Sequence, residues 1–344
     1  MKLLITGGAG FIGARLARTL LKRGTLGGAT IDRVVLADLS APPADLTADA
    51  RVEARTGPLL AQCAGFAADR FDGVFHLASA VSGECEADFE LGLRSNLDST
   101  RALLDALRAG VTNQGAPVPR VVFSSSVAVF GPDASNPMPP LVRDDTLPTP
   151  QTSYGTHKLI CEYLVADYTR KGFIDGRSAR LNTVTVRPGK PNRAASSFFS
   201  GIIREPLAGQ EAVLPVDPSV SHPVSSPART VEGLIAVYEA SADAMGGRAG
   251  LNLPALNVRV SDMLDALEAV AGKATRALVK PMPDPTIQRI VGGWSKGAVA
   301  ARAEKLGLKP DKSFADIILQ YIHDNPGAVT EQARAAAASF ESGR

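Results

Sequence analysis

The stretch Leu3-Leu4-Ile5-Thr6-Gly7-Gly8-Ala9-Gly10-Phe11-Ile12-Gly13 runs on through Ala14-Arg15-Leu16-Ala17-Arg18-Thr19-Leu20-Leu21-Lys22-Arg23 to a stop at Gly24. A short apolar run bounded by glycine reads as a buried parallel strand. Phe11, Ile12, Leu16, Leu20 and Leu21 then recur at helical spacing. Glycines at 7, 10 and 13 permit a tight turn, close approach of a pyrophosphate to bare backbone, and close packing of helix on strand, while the helix N-terminus offers N–H groups to phosphate. Placed between strand and helix, Gly7, Gly10, Phe11, Ile12 and Gly13 read as a dinucleotide seat. A structural βα turn without ligand is the plainer alternative.

Working outward, Asp32-Arg33-Val34-Val35-Leu36-Ala37-Asp38-Leu39 is a second strand ending in an acid. At that place in a doubly wound sheet a carboxylate accepts hydrogen bonds from the adenosine ribose and repels a 2′-phosphate, which favours NAD over NADP. An Asp that merely caps a turn is the alternative. Gly24-Thr25-Leu26-Gly27-Gly28 reads as a loop insertion, and a weak third strand lies near Val52 to Ala54, before a helix. Phe71 to Ser79 is a fourth strand. Its Leu77 and Ala78 allow a cofactor phosphate or ribose close to backbone, and His76 reads as a core histidine. Glu86 through Ala109 reads as one long amphipathic helix containing Asn96.

Arg120 to Ser126 is a fifth strand ending in three hydroxyls, and a proline-rich loop from Pro132 to Pro150 leads to Ser153-Tyr154-Gly155-Thr156-His157-Lys158 at the head of a helix. Leu181 to Val186 reads as a sixth strand. Helices follow at Pro227 to Ala240, at Ser261 to Val270 with Ser261 as N-cap, and at Phe314 to Ile322 with Ser313 as N-cap. Leu251 to Pro254 is a short strand between them, and the Ala-rich residues 331–344 form a tail read as a loosely attached helix. The pattern predicts an α/β fold: a doubly wound parallel Rossmann sheet with a smaller C-terminal substrate lobe. The sheet domain takes 1–189 plus 228–256 and the lobe takes 190–227 plus 257–330.

Composition narrows the function classes. The 344 residues carry 37 Lys+Arg against 35 Asp+Glu, with no basic run interleaved with aromatics, so no nucleic acid or membrane surface is expected as partner. Cys63, Cys85 and Cys161 are scattered and odd in number, which fits a reducing compartment and no metal site. No apolar stretch reaches a membrane span, and a cytoplasmic enzyme acting on a small molecule is the expectation.

Tyr154 stands one helical turn before Lys158. The ammonium is expected to pull the phenol from about 10 toward neutrality, making it a general base for alcohol oxidation. Ser126 is expected to hold the developing carbonyl oxygen, Lys158 the nicotinamide ribose, and Asn96 to complete a proton path through water.

Taken in order, Thr6-Gly-Gly-Ala-Gly-Phe-Ile-Gly13, Asp38, His76-Leu-Ala78, Asn96, Ser124-Ser-Ser126, Tyr154-x-x-x-Lys158 and Arg187-Pro188 resemble the extended short-chain dehydrogenase/reductases over nearly the whole chain. The resemblance implies bound NAD, contacts to it that include Asn96 and Pro188, a Ser/Tyr/Lys catalytic set, and a homodimer formed through the Asn-bearing and Tyr-bearing helices. Val81-Ser-Gly83, Thr152 to Thr156, Arg187-Pro-Gly-Lys-Pro-Asn192 and Ala194 to Leu207 look like the D-erythronate dehydrogenase group within that family, which oxidises the 2-hydroxyl of a four-carbon sugar acid. A nucleotide-sugar 4-epimerase or dehydratase is the alternative.

Epimerases of this type carry Arg-Pro-x-Asn to meet a diphosphate; here the fourth position is Lys190, a compact cation suited to a carboxylate. Arg204 and Arg229 are further candidates for that carboxylate, and Ser82, Ser125 and Asn192 for the hydroxyls, beside Ser126 and Tyr154. His157, Thr56-Gly57 and Ser221-His-Pro-Val-Ser-Ser-Pro227 depart from the group's pattern and leave the exact acid open. At His157, where the group has Gln, an altered local charge and a solvent-facing ring are the two readings.

Overall fold

The structure is a computed structural model that describes residues 1–189 and 195–344. Among the described residues the central sheet has seven strands, all parallel, in the spatial order Leu251–Asn252, Asp175–Leu181, Arg120–Ser126, Gly73–His76, Lys2–Thr6, Arg33–Asp38, Val52–Thr56. The central strands Lys2–Thr6, Arg33–Asp38 and Gly73–His76 are mostly apolar because helices cover both faces. Leu3, Ile5, Val34 and Leu36 pack with Leu16 and Leu20 of the helix Phe11–Arg23 on one side. Leu4, Val35, Val74 and Val121 pack with Leu103, Leu104 and Val165 on the other. Lys2–Thr6 pairs with Arg33–Asp38 on one edge and Gly73–His76 on the other. The winding therefore reverses at the first strand, and a crevice opens at its carboxyl end.

A second core is built by the helices Ser197–Leu207, Val260–Arg276 and Phe314–Asp324 around Phe199, Ile203, Met263, Leu267 and Ile318. A small sheet of Thr183–Val184, Ser221–Ser225 and Leu256–Arg259 joins it to the first body.

Several expectations are corrected. The insertion after Gly24 is a two-stranded hairpin, Thr25–Leu26 with Ala29–Thr30. The fourth strand is shorter than read, Gly73–His76. The single helix from Glu86 to Ala109 is instead broken: Asp88 is extended at φ −139°, caps the next turn through its carboxylate to Leu91 N at 2.9 Å, and leads through a π-helical turn, Leu93–Asp98, into the helix Ser99–Gln114. The sixth strand is Asp175–Leu181, not Leu181 to Val186. Its polar residues hid it, because Arg177 and Arg180 are buried there with their charge satisfied by the Val237 and Tyr238 carbonyls and by Glu162. The helix read from Ser261 begins at Val260, so Ser261 lies inside it and is not the cap. Ser313 does cap its helix, accepting from Asp316 N at 3.2 Å. The tail is not loose: Glu331–Ser342 is a helix whose Ala333 and Ala337 are buried in the second core.

Candidate active site

The crevice is a cleft of about 1990 Å³ between the sheet's carboxyl edge and the second body. Its floor is the glycine turn. Gly7 has φ 71°, and a Cβ there would lie 2.8 Å from Ala78 N. A Cβ on Gly13 would lie 2.1 Å from Gly7 O, so turn and helix meet at backbone contact. The helix Phe11–Arg23 has no side-chain cap and no acidic residue in its first turn, so its N–H groups and positive dipole end face an anion unopposed. Gly7, Gly10, Phe11, Ile12, Gly13, Leu77 and Ala78 all line the cleft. Asp38 lines it too; its carboxylate accepts from Ala9 N at 3.0 Å and Ser40 N at 3.1 Å, so it braces the turn from the second strand.

Behind Leu77 and Ala78, Thr6 Oγ1 accepts both their N–H groups at 3.1 and 3.2 Å and lies 2.7 Å from His76 Nδ1. Thr100 donates to Asn96 O, so its oxygen is left to accept from His76 Nε2 at 2.8 Å, and the ring is a neutral core histidine. Burial pushes its pKa down to about 3.

Asn96 does not do what its expected roles require. Its Oδ1 accepts from Ala80 N at 2.7 Å and Ser79 Oγ at 3.1 Å, and its Nδ2 donates to Ala80 O at 3.2 Å and Cys85 Sγ at 3.3 Å. With both ends engaged and the side chain off the cleft wall, it fastens the Ser79–Ala80 loop. In this arrangement neither end of the side chain is free to relay a proton.

Thr152 caps the helix Ser153–Arg170 by accepting from Gly155 N at 3.1 Å, and that cap sets Tyr154 in the first turn at the cleft wall. The Tyr154 hydroxyl lies near Ser126, whose Oγ accepts from Ala128 N at 3.1 Å. Burial pushes the phenol up to about 12; Ser126 and the nearby Arg187 guanidinium pull the other way. The expected lowering by Lys158 is not found. Lys158 Nζ donates to the Ser124 carbonyl at 2.7 Å, and burial brings its own pKa down to about 8.

The other expected residues divide. Ser82 lines the cleft at the head of the helix Ser82–Ala87. Ser125 contributes only to the wall, because its hydroxyl turns away to Glu162 Oε1 at 2.5 Å; successive strand residues face opposite sides. Arg204 is buried away from the cleft, donating to Arg187 O at 2.9 Å and Glu205 Oε1 at 2.5 Å, so it is no carboxylate ligand. Arg229 pairs with Glu232. Pro188 borders a separate groove beside Arg15 and Tyr321 and not the main cleft. Lys190 and Asn192 lie outside the described residues. His157 is buried, with Phe89 beside it and its pKa lowered by burial, so it neither faces solvent nor adds charge.

The residue the sequence reading missed is Arg187. It lines the cleft, donates to Val184 O at 2.9 Å and Ser196 Oγ at 3.1 Å, and its charge favours the Tyr154 phenolate. Its Arg-Pro motif was the available signal.

A doubly wound sheet with a bare glycine turn at its switch point, and a half-buried tyrosine and serine beside a buried lysine on the same cleft, defines a dinucleotide-dependent enzyme. The sequence matches the model of the NAD dependent epimerase/dehydratase family over residues 3–221. The chain belongs to that family, the extended short-chain dehydrogenase/reductases, and is an NAD-dependent oxidoreductase.

It is 47% identical over 330 residues to D-erythronate dehydrogenase of Cupriavidus necator, covering 94% of this chain and 98% of that one. It is 39% identical to D-erythronate dehydrogenase of Haemophilus influenzae over 94% and 99% of the two chains. The crystal structure of a nucleoside-diphosphate-sugar epimerase from Agrobacterium tumefaciens superposes with a TM-score of 0.89 at 44% identity, covering 95% of each chain.

Proposed function

We propose that this chain oxidises the C2 hydroxyl of a small sugar acid of the D-erythronate kind to the 2-oxo acid. One observation carries the reading: Tyr154, near Ser126 and within reach of the Arg187 charge, lines a cleft floored by the glycine turn. Two curated relatives that match over almost their full length are D-erythronate dehydrogenases, which supports the same substrate class.

The bare turn and the uncapped helix start suit NAD, held by Gly7, Gly10, Phe11, Ile12, Gly13, Leu77 and Ala78 with Asp38 toward the adenosine ribose. Bound NAD supplies the hydride acceptor and, when oxidised, a positive charge that favours a phenolate. As the phenolate, Tyr154 Oη would take the C2 hydroxyl proton and become the neutral phenol. Ser126, whose oxygen is fixed by Ala128 N–H, donates to the oxygen that becomes the carbonyl. Lys158 keeps an ammonium behind the site and holds the ribose. Arg187, together with Lys190 from outside the described residues, supplies positive charge for the carboxylate.

Residues 1–189 plus 228–256 form the nucleotide unit and the remainder up to 330 the substrate lobe. Exposed Phe89, Ile160 and Tyr163 lie on the segments preceding Asn96 and following Tyr154, which fits a homodimer built there. Among the described residues no helix is long and apolar enough to cross a membrane, which is compatible with a cytoplasmic enzyme.

The test is a screen of aldonates and UDP-sugars with NAD. NADH formed from D-erythronate is the expected result; no NADH from any aldonate, with UDP-sugars interconverted, would overturn the reading in favour of an epimerase.

A further inference from the structure

The serines that end the strand Arg120–Ser126 face two ways. Ser126 meets Tyr154, whereas Ser125 Oγ donates to Glu162 Oε1 at 2.5 Å on the helix side of the sheet. Glu162 in turn receives two bonds from Arg180, Nε to Oε1 and Nη2 to Oε2, both 2.8 Å. Ser125 and Arg180 are register partners on neighbouring strands, so both point at the same helix. All three residues are buried. Gly250 closes over them, where a Cβ would lie 2.5 Å from Glu162 Oε2, and the Arg180 guanidinium stands 5.0 Å over the Phe130 ring.

A buried ion pair is a poor source of stability, since desolvating both charges offsets their attraction. This one is also incompletely satisfied: Arg180 Nη1 has no hydrogen-bond partner among the described residues. Its placement is more telling. Tyr154, Lys158 and Glu162 follow one another at single-turn spacing on the helix Ser153–Arg170. Opposite them, Ser125 sits between Ser124, whose carbonyl holds Lys158, and Ser126, whose hydroxyl meets Tyr154. The Glu162 charge is also among those that favour the Lys158 ammonium.

We propose that Glu162, held by Arg180, is a positioning residue that acts through Ser125: it sets the strand end carrying the Ser124 carbonyl and Ser126 hydroxyl against the helix face carrying Tyr154 and Lys158. Glu162 touches neither substrate nor cofactor. The proposal rests on the reading of Tyr154 as base.

Ser125→Ala removes the link and leaves the Glu162–Arg180 pair in place. In the full-length enzyme its kcat on D-erythronate is expected to fall about 10-fold, as for a sub-ångström misplacement of reacting groups. KM for D-erythronate, Kd for NAD and Tm should stay near the wild-type values, a split that general loosening of the fold would not give. Glu162→Gln should lose more kcat, and if it fails to fold Ser125→Ala decides alone. Wild-type kcat in Ser125→Ala, or a loss shared equally by kcat, Kd and Tm, overturns the proposal. Tyr154→Phe is assayed beside them. If it is inactive while Ser125→Ala is unimpaired, only the positioning role falls; if it is fully active, the base assignment falls and this role with it.

Discussion

The Lys158 ammonium donates to the backbone carbonyl of Ser124 at 2.7 Å inside the protein. Burial outweighs this bond and lowers the lysine from 10.5 to about 8. The unfolded chain therefore binds the proton more tightly, so charged Lys158 costs stability below about pH 8, and that cost is relieved as pH rises from about 8 toward 10.5. Lys158→Met should be more stable than the parent at pH 7, by on the order of 1–3 kcal/mol after loss of the hydrogen bond, with the gap closing at alkaline pH. Melting curves across pH check this, and a variant less stable at neutral pH contradicts it.

Tyr154→Phe keeps the ring and its packing but has no proton acceptor. Its kcat for sugar-acid oxidation should drop at least about 10²-fold, with NAD still raising Tm as it does in the parent. NADH formation and thermal shift, measured on one preparation, separate loss of chemistry from loss of binding.

Gly13→Ala drives a methyl into Gly7 O, where the contact would be 2.1 Å. The helix must move off the strand, so NAD affinity should fall by at least about 10-fold and Tm should decrease. Gly65, near the end of the helix Leu59–Phe66, has nothing within 4 Å of a new Cβ. Gly65→Ala should instead stabilise the chain by about 0.5–1 kcal/mol with unchanged NAD binding. Titration of NAD against both variants is the check.

Asp38 lines the cleft and braces Ala9 N–H, and in the proposed reading it faces the adenosine ribose. Asp38→Ala should narrow the preference for NAD over NADP by about 10-fold in kcat/KM and raise KM for NAD. A preference that does not change would remove Asp38 from cofactor selection.

Tyr163 is 65% exposed and Phe89 59% exposed. If copies meet through these side chains, Tyr163→Glu puts a charge in the contact and should convert a dimer into a monomer in light scattering. A parent chain that is monomeric at micromolar concentration would rule the interface out.

The glycine turn, the first two strands and the Tyr154 helix were legible because each is a local pattern: apolar runs of strand length, apolar residues at helical spacing, glycine where backbone must approach backbone. The strand Asp175–Leu181 was not, since Arg177 and Arg180 look like surface residues until the partners that neutralise them are folded into place. The break at Asp88 was missed for a related reason. Its cap on Leu91 N competes with helix continuation through one short hydrogen bond that apolar spacing does not register.

By itself the sequence determined the α/β alternation, the dinucleotide turn and the one-turn spacing of Tyr154 and Lys158, because these follow from fixed periods within a single strand or helix. Tertiary structure alone decided that Ser125 faces Glu162, that Arg204 is occupied elsewhere while Arg187 reaches Tyr154, and that Lys158 binds a strand carbonyl. Those outcomes depend on which distant groups share a desolvated space. There each buried donor or charge takes whatever acceptor packing brings within reach, and chain spacing does not encode that choice.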